Sequence, residues 1–462
     1  TPTTAPAAPA PPPTGDSGVQ LTNLERLTAY IESDGGGAGS IGAFNGYVLV
    51  AQHGQPIYSR AFGLADRERQ RPATADTSFR IGSVTKQFTA AAILKLEQDG
   101  KLSVSDPVSK HLPGYTGPAK DVTIHQLLTH TGGVPSYTDD PSVLARKAQR
   151  WSVVQLLATF ELKPLAFAPG TQFAYSNSGY VLLGAIIELV SGRTYADYLR
   201  DELFVPAGLT RTVVGDALDD PDRANGYQLD GDRVVPADPI DMGLPYAAGA
   251  IRSTANDLVR WHRALEGDAI LGAAAKAKLY TPALKDYAYG WMVGEQAGHK
   301  LIWHNGGIDG FHTSYFRVPD ADLVVVVLGN TLQTDTDEIA KNAVAAAFGE
   351  AIEPLPVADA ALVARVVGTY TITPAGQQAL GELKAPAELI AAIQTMTIAA
   401  VPGGVSMKPN GQGPALMSPS GGATFVHKGA GITLTFDLAA TGAATGLTIE
   451  QGPLKITYAR AP

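Results

Sequence analysis

The sequence predicts a mixed α/β fold: an antiparallel sheet flanked by helices, with an all-helical lobe, followed by a small all-β barrel. Three observations lead there. Helical periodicity opens and closes the stretch up to residue 350, bracketing strand-like runs at both ends of a helix-rich middle. Between 287 and 328 the apolar period switches to two, in four runs close together, as antiparallel neighbours require. Beyond 365, short Thr/Val/Ile/Leu runs alternate with Gly, Pro and Asn turns, the pattern of a small barrel or sandwich.

The opening residues, TPTTAPAAPAPPPTGDSG, lack a charged n-region and an apolar h-region, so they are not an intact signal peptide. Their Pro/Ala/Thr bias reads as an extended leader over 1–20. A mature exported protein often begins this way after signal removal, so a periplasmic or secreted location is expected; a disordered cytosolic tail is the alternative. TNLERLTAYIESD (22–34) reads as a helix capped by Thr22, with Leu24, Leu27 and Ile31 on one face. Gly37-Ala-Gly39-Ser-Ile-Gly42 matches G-x-G-x-x-G, but it follows a helix and precedes the strand-like YVLVA. A dinucleotide site needs the opposite order, so this is a flexible loop.

YVLVAQHGQPIYSRAFG (47–63) reads as a hairpin turning at His53-Gly54, and 83–99 as an apolar helix. Helical patterns recur near 151–161, 178–191, 194–203 and 254–266. YAYGWMVGE, KLIWHN, FHTSYFRV and LVVVVL are the four strands, and DEIAKNAVAAAFGE (337–350) closes the unit as a helix. EPLPVADA falls in a linker. The expected organisation is a leader over 1–20, a first domain over 21–352, a linker over 353–364 and a barrel over 365–462.

Length agrees with that division, since 462 residues make two or three domains at roughly 100–200 each. Hydrophobic residues at 45% supply ample core material. A net charge of −9 without any Lys/Arg run gives no reason to expect nucleic acid. Cysteine is absent, which excludes disulfides, thiolate metal sites and cysteine catalysis. No apolar run approaches the ~18 residues of a membrane span.

Chemistry enters with FRIGSVTKQFTAAAIL (79–94). From Ile81 to Leu94 the only charged residue is Lys86, three positions after Ser83. If Ser83 begins the helix, both side chains share a face. A serine hydroxyl is a poor nucleophile until a base takes its proton, and burial lowers a lysine pKa toward that task. The structural alternative makes Ser83 an N-cap and lets Lys86 snorkel to solvent. In FAYSNSGYVLLG, Tyr175 can shuttle a proton and Asn177 can hydrogen-bond substrate or Lys86; alternatively Asn177 or Ser178 caps the helix and Tyr175 is core. In IWHNGGIDGFHTSYF, a strand runs into His304-Asn305-Gly306-Gly307, whose glycines admit a substrate close to the backbone. The alternative there is a Gly-rich hairpin with an exposed histidine.

In combination, S-x-x-K at 83–86, Y-x-N at 175–177 and H-x-G at 304–306 resemble the serine hydrolases of the class C β-lactamase and DD-peptidase family. TIHQLLTHTGGVPSY (123–137) and YAAGAIRSTANDLVRW (246–261) resemble two further segments of that family, so the resemblance covers about 22–350. It implies that Ser83 forms the acyl-enzyme, Lys86 is the adjacent base and Tyr175 passes protons to the leaving group. It also implies an oxyanion hole from the backbone N–H groups of Ser83 and Gly307. His304, Asn305 and Gly306 would line the site opposite, near the substrate; apart from the resemblance, Trp303, next to His304, is the one tryptophan expected to touch substrate, with Trp151, Trp261 and Trp291 read as core. The β-lactamases carry K-T-G where this chain has His304-Asn305-Gly306, and a histidine is mostly neutral at pH 7. The H-x-G variant resembles D-aminopeptidases, peptide hydrolases and esterases, several of which carry a C-terminal lipocalin-like barrel.

The expected activity is therefore hydrolysis of an amide (a peptide, including one with D-amino acids) or an ester on a small-molecule or peptide substrate, with an oligomer compatible. Carboxylesterase is the runner-up and β-lactamase or DD-peptidase the third. A catalytically idle peptidoglycan-binding or scaffold protein is the non-enzyme alternative. No cofactor or metal is expected: His125 and His130 lack ligand partners at metal spacing. Asp216, Asp219, Asp220 and Asp222 suit a solvated loop and do not have EF-hand spacing.

Overall fold

The computed structural model describes residues 21–33, 44–216, 219–230, 233–331, 335–352, 358–382, 387–401, 404–410, 415–427, 431–452 and 454–461. The expected leader, the glycine motif at 37–42, the first half of the linker and the Thr22 side chain lie outside them.

Helix α1, Leu21–Ser33, buries Leu24, Leu27 and Ile31 as its periodicity requires. Strands β1 (Gly46–Gln52) and β2 (Gln55–Phe62) form the expected hairpin, with His53 and Gly54 at φ 51° and 72°. Two consecutive positive φ values match the right-handed twist of the strands they join. Strands β3 (Met292–Gln296), β4 (His299–Ile308), β5 (Phe311–Val318) and β6 (Leu323–Gly329) complete a six-stranded sheet in the order β3-β4-β5-β6-β1-β2. Every pairing is antiparallel, with Tyr47 opposite Leu328 and His304 opposite Tyr315. The first expected strand begins later than its apolar run, at Met292, because Tyr287–Trp291 is folded into turns.

Period-two alternation gives the sheet two apolar faces. Val48, Val50, Leu301, Phe316, Val325 and Val327 face α1 and helix α5, Thr336–Ala347. Tyr47, Leu49, Ile302, Tyr315, Val324 and Val326 face the helical lobe. That lobe is built around helix α2, Thr85–Gln98, with helix α3, Asn177–Ser191, and helix α4, Ala255–Glu266, packed near it. Nearly all of α2 is buried, and Phe88 stacks on Trp261 of α4 at 4.4 Å. A helix buried on nearly every side belongs in the middle of a structure, and α2 sits there.

Beyond the sheet domain, eight strands close into an antiparallel barrel. They are β7 (Gly368–Ile372), β8 (Thr395–Val401), β9 (Gly404–Pro409), β10 (Ala415–Gly421), β11 (Thr424–His427), β12 (Ile432–Leu438), β13 (Ala444–Gln451) and β14 (Leu454–Arg460). β14 returns to pair with β7. Tyr370, Met396, Met407, Phe425, Leu434, Phe436 and Tyr458 fill the interior, as the size of an eight-stranded barrel allows. One strand, β10, is not legible in ALMSPSG: Pro419 imitates a turn, and the ladder accommodates it beside a register shift. The short helix Pro374–Glu382, also unforeseen, lays Leu380 into the barrel core.

Candidate active site

Ser83 lies in a 3₁₀ turn, Gly82–Val84, that runs directly into α2, so Lys86 occupies the first turn of the helix. Gly82 has φ +50°, and an added Cβ would meet the Gly306–Gly307 backbone at 3.1 Å. A Cβ on Gly306 would stand 2.0 Å from the Ile81 carbonyl oxygen and 2.9 Å from the Ser83 nitrogen. Only paired glycines let β4 press its backbone against the turn that carries Ser83. The Ser83 hydroxyl caps neither helix, contrary to the N-cap alternative.

Lys86 does not snorkel; it is fully buried. Its Nζ lies 3.1 Å from Ser83 Oγ, 2.8 Å from Asn177 Oδ1 and 2.8 Å from the Ala248 carbonyl oxygen. The Tyr175 and Tyr180 rings stand 4.7 and 5.3 Å from the same nitrogen. Desolvation holds the Lys86 pKa well below its ordinary value. Asn177 opens α3, and its orientation is set by Nδ2 donating to Thr138 Oγ1 at 3.0 Å and its backbone N–H donating to Ser136 Oγ at 3.1 Å. The cap of α3 is Ser176, which accepts from the Gly179 N–H, while Ser178 accepts from the Tyr137 N–H; neither expected cap residue serves.

Tyr175 shows part of its ring to solvent, 39% exposed, while its hydroxyl is buried beside Ser83. Burial around that hydroxyl raises the phenol pKa. The ring rests on His130, centroid to centroid 4.3 Å. His130 takes φ +56°, and its Nδ1 accepts the Ser176 N–H at 3.1 Å, so the ring locks the residue after Tyr175. Burial first, and Lys86 and His304 next, keep His130 neutral.

His304 is buried behind this group. Its Nδ1–H donates to its neighbour's carbonyl, Asn305 O, at 2.5 Å, and its Nε2 accepts from the Tyr287 hydroxyl at 2.9 Å. Desolvation, with Lys86 adding repulsion, lowers its pKa to about 3. The ring lies 6.4 Å from the Tyr175 ring, and its bonds tie the β4 backbone just before Gly306 and Gly307. Two expectations are corrected. Alternation along β4 turns Trp303 and Asn305 to the other face of the sheet. There Trp303 packs on Phe316, and Asn305 Nδ2 donates to Asp337 of α5 at 2.6 Å.

Ser83, Asn177 and Gly307 open into a cleft of about 160 Å³. Leu144, Ile240, Leu244 and Ile308 make its walls apolar. Among the described residues its lining holds one carboxylate, Asp309, which is paired with Lys147, and no lysine or arginine. Sequence reasoning missed Tyr287, Ser136, Thr138 and the Ala248 carbonyl. Ser136 and Ala248 lie inside the two accessory segments, whereas a backbone carbonyl leaves no mark on residue type. Among the described residues no cluster of His, Asp and Glu could hold a metal ion. Asp216 pairs with Arg80, and Asp220 and Asp222 pair with Arg211.

A neutral amine within hydrogen-bond reach of a serine hydroxyl, with a phenol beside it, can deprotonate that hydroxyl and return the proton to a leaving group. Comparison with known proteins places this geometry. A family model described as Beta-lactamase matches residues 29–350. A penicillin-binding protein of Bacillus subtilis (strain 168) is 31% identical over 367 residues, 71% of this chain and 80% of that protein. The crystal structure of a D-stereospecific amidohydrolase from Streptomyces sp. aligns with TM-score 0.59 at 26% identity, covering 73% of this chain and 99% of that one. An octameric penicillin-binding protein homologue from Pyrococcus abyssi, 24% identical, shares the fold over 94% of this chain and 99% of its own, with TM-score 0.65. No helix among the described residues is long and apolar enough to cross a membrane.

Proposed function

The chain belongs to the β-lactamase family of serine hydrolases, which act on amide or ester bonds, and from that premise we propose that Ser83 is its nucleophile and Lys86 its general base. The observation that carries the proposal is the placement of a fully buried, carboxylate-free amine 3.1 Å from Ser83 Oγ. Ser83 Oγ attacks the substrate carbonyl as its proton passes to Lys86 Nζ. The backbone amides of Ser83 and Gly307 face the negative oxygen that results, a contribution of about 10²–10³ in rate per donor. Tyr175, beside Ser83, relays the proton to the departing amine or alkoxide. Water then repeats the sequence on the acyl-enzyme.

His304 acts on this chemistry through the backbone. Its neutral ring fixes the Asn305 carbonyl and thereby the approach of Gly306 and Gly307. Among the described residues no cation lines the cleft to hold the carboxylate of a β-lactam, which favours a neutral amide or ester as substrate over β-lactam hydrolysis. Residues 21–352 carry the reaction, the link is shorter than the expected 353–364 because the helix Ala360–Val366 packs on the barrel core, and 360–462 form a lipocalin-like barrel unit that shapes substrate range or assembly. Assembly into an oligomer is supported by the octameric Pyrococcus abyssi homologue, and the leader composition supports export to a periplasmic or extracellular site. A fluorophosphonate probe tests the proposal: wild type becomes labelled and Ser83→Ala does not, whereas equal labelling rejects Ser83. A panel of p-nitrophenyl esters, D- and L-aminoacyl anilides and nitrocefin then ranks the substrates, with esters and anilides turned over ahead of nitrocefin.

A further inference from the structure

The segment between Pro141 and Trp151 separates the Ser83 cleft from a second one. Leu144 lines the first, while Arg146, Gln149, Arg150 and Trp151 line the second, a volume of about 320 Å³ also lined by Gln155, Ala158 and Thr159. That volume is at the small end of the range for sites that take small molecules. Nothing in the hydrolytic mechanism uses it.

Its floor is held firmly. The Trp151 N–H donates to Asp241 Oδ1 at 3.1 Å, and the indole N–H donates to the Arg146 carbonyl at 3.1 Å. The Arg146 guanidinium lies 5.0 Å from the centroid of the Trp151 ring, and its Nε donates to the Ser142 carbonyl at 3.1 Å. Stacking and that bond pre-orient the guanidinium and leave its terminal NH₂ fork unengaged. Arg150 follows four residues later in the same run of turns. Neither arginine has a carboxylate partner among the described residues. Lys147, between them, is turned the other way and pairs with Asp238 and Asp309. In a chain of net charge −9, this cleft therefore presents two exposed guanidinium groups, both without a carboxylate partner among the described residues.

We propose that this cleft is an anion-binding site in which Arg146 and Arg150 clasp a carboxylate or phosphate group while Trp151 supports the body of the ligand. Planar oxyanions match the guanidinium fork in a way that an ammonium does not. The two sources of such a group are a substrate's own carboxylate, reaching past Leu144 from the Ser83 cleft, and a free anion.

Calorimetric titration of the full chain with inorganic phosphate, and separately with succinate, tests the site without relying on catalysis. Wild type binds at least one of them saturably at one site per chain. Arg150→Gln, which removes an exposed side chain with no structural bond, weakens that binding about tenfold or more, and R146Q/R150Q abolishes it. R146K/R150K restores only part, because the fork is lost. Turnover of p-nitrophenyl acetate stays at the wild-type value in every variant and certifies the fold. A raised KM for a carboxylate-bearing ester in R146Q/R150Q assigns the site to the substrate's own carboxylate; an unchanged KM assigns it to a free anion. Absence of saturable binding by wild type, or binding by Arg150→Gln and R146Q/R150Q that equals wild type, overturns the proposal.

Discussion

Lys86 Nζ sits 3.1 Å from Ser83 Oγ, and its two other partners, Asn177 Oδ1 and the Ala248 carbonyl, each at 2.8 Å, only accept hydrogen bonds. A neutral amine has two protons and one lone pair. In that neutral form both protons go to the two acceptors, and the lone pair is left for the serine hydroxyl. The surrounding cage supplies the dryness: the Tyr175 and Tyr180 rings flank the nitrogen, and the nearby histidines are themselves held neutral.

Keeping that amine neutral has a stability signature. The folded pKa is depressed below 10.5, so the unfolded chain binds one more proton in the window between the two values. Stability therefore rises with pH across that window and is penalised below it. Comparing wild type with Lys86→Met by denaturant titration at several pH values should show a steeper positive slope for wild type. The difference approaches about 1.4 kcal/mol per pH unit. Lys86→Met should also lose probe labelling while remaining folded. Parallel slopes would mean that the amine is charged in the folded protein.

The glycines of β4 separate two roles. A methyl on Gly306 meets the Ile81 carbonyl at 2.0 Å, a backbone atom that cannot step aside. Gly306→Ala should push β4 off the Ser83 turn and lower the acylation rate by about 10² or more, the scale of a misplaced oxyanion donor. A methyl on Gly307 finds only His312 Cδ2 at 3.8 Å, an ordinary contact, and the N–H remains. Gly307→Ala should therefore turn over p-nitrophenyl acetate within a few-fold of wild type. Stopped-flow acylation of both variants checks the contrast; equal damage would place the oxyanion elsewhere.

Tyr175→Phe isolates the hydroxyl from the ring. The ring still covers Lys86 and rests on His130, so folding should be unaffected. Without the phenol the leaving group has no proton relay, and acylation by an anilide should fall by about 10²–10⁴. Esters with a good leaving group need that proton less and should fall by less. A uniform loss on both substrates would assign Tyr175 to binding.

Ser83 and Lys86 were legible because a lone ammonium inside an apolar run has few structural uses, and three motifs in order narrowed them further. The lobe and sheet were legible from the change of period between 287 and 328. Trp303 and Asn305 were misplaced by reading adjacency along the chain as adjacency in space; in a strand the residue next to His304 points to the opposite face. The Ala248 carbonyl and the Tyr287–His304 bond depend on chain segments far apart in sequence, which local pattern does not record. Strand β10 was hidden by Pro419, whose turn character the ladder overrides at a register shift.

Trp303 gives that correction a test. Its indole packs beside Phe316 on the helix-covered face, away from the cleft. Trp303→Ala should destabilise the sheet domain by about 2–3 kcal/mol, less than the ~3–5 of a fully buried tryptophan, because the side chain is only partly buried. KM for p-nitrophenyl acetate at a temperature where the variant is folded should match wild type. A raised KM with unchanged stability would return Trp303 to the substrate.

The barrel makes its own core. Every buried side chain in its cluster lies beyond residue 365, and none comes from the sheet domain. The helix Ala360–Val366 belongs with it: Arg460 donates to the Arg365 carbonyl at 2.7 Å, and Arg365 donates to the Ala439 carbonyl at 2.6 Å. A cut before that helix therefore removes a complete unit and leaves no half-built core exposed. Deleting 360–462 should yield a folded chain that fluorophosphonate labels at the wild-type rate, since the described partners of Lys86 and the described lining of the Ser83 cleft all come from residues 82–309. What should change is the substrate range across the ester and anilide panel, or the mass measured by light scattering. Loss of labelling in a truncated chain that keeps its thermal transition would show that the barrel completes the active site.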